Sequence, residues 1–153
     1  LSPHELFQAA QVGVTRRIDN LRRTGINEPH GTPDEAWYAD ITGACGELVV
    51  AKFIDRFWSG QLGNYKARDA GPVQVRTTRY SDGHLLLYDT DVDDHPFVLV
   101  YGEAPEFTMA GWCYAREGKH TMYARLTPHG KPAYWVPQSA LHPMGVLKGE
   151  LGG

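Results

Sequence analysis

The sequence predicts an α/β (α+β) fold, a central mixed β-sheet flanked by two N-terminal helices. Three observations carry that prediction. Residues 3–24 place apolar side chains at three- and four-residue steps, a capped helical stretch follows from Thr32, and from Tyr65 onward the apolar period changes to two.

The first helix is expected over 3–24, with Leu6, Ala9, Ala10, Val14, Ile18 and Leu21 as its apolar stripe. Arg16, Arg17, Arg22 and Arg23 crowd its second half, where cations suit the helix macrodipole. The same cluster also offers contacts to a DNA backbone. Residues 25–32 read as a Gly/Asn/Pro loop. Thr32-Pro33-Asp34-Glu35 then combines an N-cap, Pro at the first helical position and Glu at the capping-box position. Ile41, Ala44, Leu48 and Ala51 continue that helix to about Trp58. Gly43 and Gly46 weaken it as a helix but would let it lie close to a sheet.

Strands are expected at 65–69, 73–80, 84–89, 97–103 and 106–116. Phe97-Val98-Leu99-Val100-Tyr101 has the apolar run of a sheet centre. Ser81-Asp82-Gly83 reads as a hairpin turn between the second and third strands. Ala133-Tyr134-Trp135-Val136 forms a late strand, and Pro137 to Leu141 a short helical turn after it. No helical pattern separates the third strand from the fourth, so a helix there is confined to about 90–95 or the topology differs.

The 153 residues fit one domain, 1–153, with its core at about 34–145, and an apolar share of 42% suffices for that core. A formal charge of −3 and a pI of about 6.2 speak against a protein that coats DNA without regard to sequence, while leaving room for a local basic groove. Cys45 and Cys113 form no CxxC motif and sit among apolar residues, so they read as buried free thiols suited to a reducing cytoplasm. No apolar run has the length of a membrane span and no signal-peptide pattern opens the sequence, so a cytoplasmic location is expected. The seven histidines show no HExxH or paired spacing for zinc. Asp89, Asp91, Asp93 and Asp94 lack the Gly and the closing Glu of a calcium loop, and read as a solvated turn. There is no nucleophile elbow and no Walker loop.

Chemistry concentrates between the second helix and the second strand. Glu47 lies within Gly43-Ala44-Cys45-Gly46-Glu47-Leu48, Asp69 ends the first expected strand, and Gln74-Val75-Arg76 opens the next. In this order they resemble the PD-(D/E)XK nuclease superfamily, the restriction-endonuclease-like fold, and its phage-encoded members in particular. That family takes a Glu from its first core helix, an Asp at a strand end and an acidic-X-Lys triplet on the next strand. Thr77-Thr78 after the triplet, Asp94 to Val100, Phe107 to Trp112 and Pro137 to Leu141 add to the likeness.

The resemblance implies a Mg²⁺-dependent DNA endonuclease, with Mn²⁺ as an alternative ion. Asp69 and Glu47 would bind the metal, Gln74 and the Val75 carbonyl would complete its shell, and Arg76 would stabilise the transition state. Lys66, Arg68, Thr78 and Arg79 would contact DNA phosphates. Oxygen ligands and one or two carboxylates are what Mg²⁺ needs. Many relatives act as homodimers, although no interface is legible here. Two departures stand out. Gln74 offers an uncharged amide where the family has a carboxylate, and Arg76, always protonated, cannot serve as a general base. These departures motivate a rival reading as a catalytically degenerate DNA- or protein-binding module, and more remotely as a viral structural protein.

Overall fold

The computed structural model describes residues 1–24, 32–62 and 69–152. Helix α1 (Pro3–Thr24) packs on helix α2 (Pro33–Phe53), and α2 lies on a three-stranded mixed sheet. That sheet has the order β1-β3-β4, from β1 (Gln74–Thr78), β3 (Pro96–Glu103) and β4 (Glu106–Tyr114), with β1 parallel and β4 antiparallel to β3. A small antiparallel sheet joins β2 (Leu85–Leu87), β6 (Pro132–Val136) and β5 (Ala124–Leu126) in the order β2-β6-β5. Short helices α3 (Ala115–Gly118) and α4 (Met144–Glu150) complete the chain. Among the described residues, no helix is long and apolar enough to cross a membrane.

Both long helices start as their sequences dictate. Glu35 N–H donates to the Thr32 hydroxyl at 3.3 Å and Thr32 N–H donates to the Glu35 carboxylate at 2.7 Å. Ser2 and Glu5 make the same reciprocal pair at the start of α1, at 3.2 and 2.7 Å. The buried side of α1 is Ala9, Gly13 and Arg17, one residue before the Ala10, Val14 and Ile18 of the expected stripe, and Ile18 is exposed. The reason is backbone approach: a Cβ on Gly13 would lie 2.5 Å from the Ile41 Cα, so only Gly permits this crossing. Arg17 is carried inside because Asp40 of α2 meets its Nε at 3.0 Å.

Helix α2 ends at Phe53, short of the expected Trp58. Asp55 takes a left-handed φ of 56°, Arg56 N–H bonds the Ala51 carbonyl at 2.9 Å and Asp55 N–H bonds that of Lys52 at 3.3 Å. This is the Schellman closure, with Asp in the place usually held by Gly. Of the two small residues expected to bring α2 onto the sheet, Gly46 does so: a Cβ there would lie 2.0 Å from the Thr77 hydroxyl oxygen. Gly43 faces open space.

Strand β3 is the sheet centre that its apolar run predicts, buried from Pro96 to Val100. Its two faces feed two cores. Val98 and Val100 join Val50, Ala51, Val73, Val75 and Trp112 beneath α2. Phe97 and Leu99 join Leu85, Leu87, Cys113 and Val136 between the sheets. Both cysteines are buried and free, and burial pushes the Cys113 thiol up to about 12, with Glu117 adding to the shift.

The expected hairpin at Ser81-Asp82-Gly83 does not form. The turn exists, with Gly83 N–H bonding the Tyr80 carbonyl at 3.0 Å, but β1 pairs with β3 and β2 pairs with β6. Leu85 and Leu87 bury themselves in the second core, which pulls β2 away from β1. The crossover between parallel β1 and β3 therefore runs through β2 and an acidic turn, with no helix at 90–95. That turn is anchored rather than simply solvated. Lys119 Nζ donates to the Asp89 carbonyl at 3.2 Å, to the Asp91 carbonyl and to the Asp93 carboxylate at 2.8 Å. Arg116 pairs with Asp94 at 2.8 Å. The strand expected at 65–69 and the loop at 25–32 lie almost wholly outside the described residues. At the edge of the first, Ala70 and Val73 exchange two backbone bonds of 3.0 Å around Gly71-Pro72, a tight reversal into β1.

Candidate functional site

The buried end of α2 and the start of β1 bring two carboxylates near each other. Glu47 is only 7% exposed, because the second half of α2 is enclosed by α1 on one side and the sheet on the other. Its oxygens accept a fork from Arg16 of α1, Nη1 to Oε1 at 2.6 Å and Nη2 to Oε2 at 2.9 Å. The Trp58 indole N–H adds a third bond to Oε2 at 3.1 Å. Arg16 Nε also donates to the Gln61 carbonyl at 3.0 Å, so one guanidinium ties α1, α2 and the chain after α2. Burial works against the charge on Arg16, but the Glu47 fork outweighs it and raises the guanidinium above its ordinary value.

Asp69 stands at the turn into β1, half-buried, with Oδ2 accepting the Val75 N–H at 2.8 Å. Burial raises its carboxyl to about 6, and the nearby Glu47 charge adds to the rise. The Val75 N–H, Arg76 and Arg16 oppose that shift without cancelling it. Asp69 thus feels an anion from α2 and two cations, one from α1 and one from β1.

Gln74 and Arg76 do not join Glu47. Side chains alternate along a strand, and Val75 packs in the core beneath α2 while Thr77 meets Gly46. Gln74 and Arg76 therefore project from the other face, in register with Phe97 and Leu99 of the second core. Arg76 Nη2 donates to Asp91 at 2.9 Å and its guanidinium lies 5.0 Å from the centre of the Phe97 ring. The expected convergence of four side chains is thus corrected to a pair, Glu47 and Asp69, with Arg76 near enough to act on Asp69 by charge alone. Thr78 shares the face of Arg76, and Arg79 lies over the Tyr38 ring at 4.4 Å. Lys66 and Arg68 lie outside the described residues.

Two donors to Glu47 are not legible as such in the sequence. Arg16 was legible as part of a basic cluster, but its pairing depends on where α1 crosses α2. Trp58 gave no separate signal, because the helix was expected to continue through it.

A divalent ion fits this pair in part. Among the described residues, no three His, Cys, Asp or Glu side chains are grouped to hold a metal. Mg²⁺ accepts one or two carboxylates with water in its other positions. The Glu47 charge that raises the proton affinity of Asp69 would equally favour a cation beside that carboxylate. Against this, both Glu47 oxygens already serve Arg16, so Asp69 is the more accessible ligand and Glu47 can join only if that fork opens. Compared with protein-family models, with curated proteins and with solved structures, the chain matches none of them.

Proposed function

We propose that the protein is a divalent-metal-dependent nuclease acting on DNA, with a restriction-endonuclease-like arrangement of its site. The observation that supports this most is the placement of Asp69 and Glu47, carboxylates from two separate elements, where the charge of one raises the proton affinity of the other. Asp69 would be the principal ligand, with Glu47 and the Val75 carbonyl beside it and Gln74 outside this cluster. A bound Mg²⁺ would supply an activated water and neutralise charge on the phosphodiester. The Val75 N–H fixes the orientation of Asp69. Arg76 adds fixed positive charge and no proton transfer. Arg16 holds Glu47 in place and neutralises it when no cation is present.

The test is Asp69→Asn, assayed with Mg²⁺ and Mn²⁺ on duplex, branched and single-stranded DNA and by calorimetry of Mn²⁺ binding. Loss of both cleavage and metal heat is the expected outcome. Cleavage persisting in a clean Asp69→Asn preparation would remove the reading.

One observation favours a second reading. The bidentate Arg16–Glu47 pair is complete without a metal, as in a scaffold that binds DNA or protein and has lost catalysis. In that case calorimetry of the native chain gives no Mn²⁺ heat, and any binding is unchanged by a chelator.

A further inference from the structure

On the face of β1 away from α2, the two sheets enclose a cleft of about 540 Å³, within the range of small-ligand sites. Arg76 and Thr78 of β1, Tyr80, Asp82 and His84 of the turn, Tyr88 after β2 and Trp135 of β6 line it. We infer that this cleft takes one unpaired base of a nucleic-acid strand. That the strand is also cleaved rests on the nuclease reading, whereas the binding of a base does not.

Three features point to a nucleotide. The first is planar surface. Tyr80 is 63% exposed, and the rings of His84, Tyr88 and Trp135 surround the same space. Aromatic faces in an open groove are what a base stacks on.

The second is positive charge on those rings, in a protein whose formal net charge is −3. Lys131 Nζ lies 4.0 Å from the Tyr88 ring centre and the Arg125 guanidinium 4.1 Å from that of Trp135. Arg76, which lines the cleft itself, lies over Phe97 at 5.0 Å and is paired with Asp91 at 2.9 Å. Cations held against aromatic rings beside a cleft suit a ligand that is both planar and anionic.

The third is unused donors. Arg76 Nε and the Trp135 indole N–H are buried and have no hydrogen-bond acceptor among the described residues. Buried donors of this kind are uncommon in native proteins. Both are closed to solvent, so a base edge, with its ring nitrogens and carbonyl oxygens as acceptors, reaches them only once the side chains over them move aside.

Stacked and paired bases expose no face to aromatic rings, so the cleft does not suit a duplex. A single strand or an extruded nucleotide is the form that fits. Arg76 connects this cleft to Asp69, whose carboxylate feels its charge. A strand with one base in the cleft would have its backbone near the edge of β1.

The experiment uses the full chain in EDTA and a fluorescently labelled single-stranded hexanucleotide, compared with the same strand carrying abasic sites at its central positions. The intact strand should bind at least about tenfold more tightly, the loss expected when a stacked base is removed. Tyr80→Ala should erase that preference; Tyr80 is an exposed turn residue, so the fold is retained. Equal affinity for the two strands, or full preference in Tyr80→Ala, overturns the inference. Cleavage assays of the same preparations with Mn²⁺ separate the two ideas. Base preference without cleavage sinks the nuclease reading alone, and cleavage without base preference sinks the base cleft alone.

Discussion

Asp69 carries a carboxylate that the fold makes costly to ionise. Its folded value is about 6 against an ordinary 3.8, so the folded chain holds that proton more tightly than the unfolded chain does. Stability linked to this group is present below about pH 4 and is lost as pH rises through about 6, a loss of about 1–3 kcal/mol for a half-buried side chain. Chemical denaturation between pH 4 and 7 should show that decline in the native protein, and Asp69→Asn should flatten it and be the more stable form at pH 7. An identical slope in the variant would mean that Asp69 is not the titrating group. The sequence showed Asp69 as a residue before Gly71-Pro72 but carried no sign of its burial. Proton affinity depends on Glu47, 22 positions earlier, and on the packing of α2.

At the scale of elements, the contact between α2 and β1 is set by one glycine. Gly46→Ala would drive a methyl into Thr77, whose side chain is anchored on the strand and buried against the helix. Overpacking of this kind costs about 1–3 kcal/mol, and the double variant Gly46→Ala/Thr77→Ala should recover most of it. Urea unfolding of the two variants checks this. Failure of the second change to rescue the first would place the strain elsewhere. Elements with strong local signals were legible in the sequence: the cap at Thr32, the buried run of β3, and the strand at Ala133–Val136. The end of α2 was not, because Asp55 in a left-handed turn replaces the glycine that usually marks such a stop. β5 was hidden because three residues, all of them exposed, are too few to establish a period. The partner of β2 was not legible either, since pairing with β6 is decided by the second core and not by the turn that precedes β2.

Across the whole molecule, β3 contributes to both cores and the chain must cross from β1 to β3 without a helix. The acidic turn at 89–95 makes that crossing, and α3 holds it by two backbone bonds of 3.1 Å, Ala115 to His95 and Arg116 to Asp93. Lys119 adds three bonds and is itself largely buried, so its removal matters more than that of a surface lysine. Lys119→Met should cost about 1–3 kcal/mol, from charge-assisted hydrogen bonds partly open to water. Faster amide exchange should appear in residues 89–95 and at the β1–β3 pairing. Unchanged exchange there would show that the turn is held by its backbone alone.

The ammonium of Lys119 sits among oxygens of the kind that ordinarily gather around a metal, and it is covalently part of the chain. A turn with its own counter-charge built in has no need of dissolved calcium, so the joint between the two sheets keeps its shape whatever the ionic calcium level. Acetylation of that one amine would leave the Asp89 and Asp91 carbonyls and the Asp93 carboxylate without the cation they share.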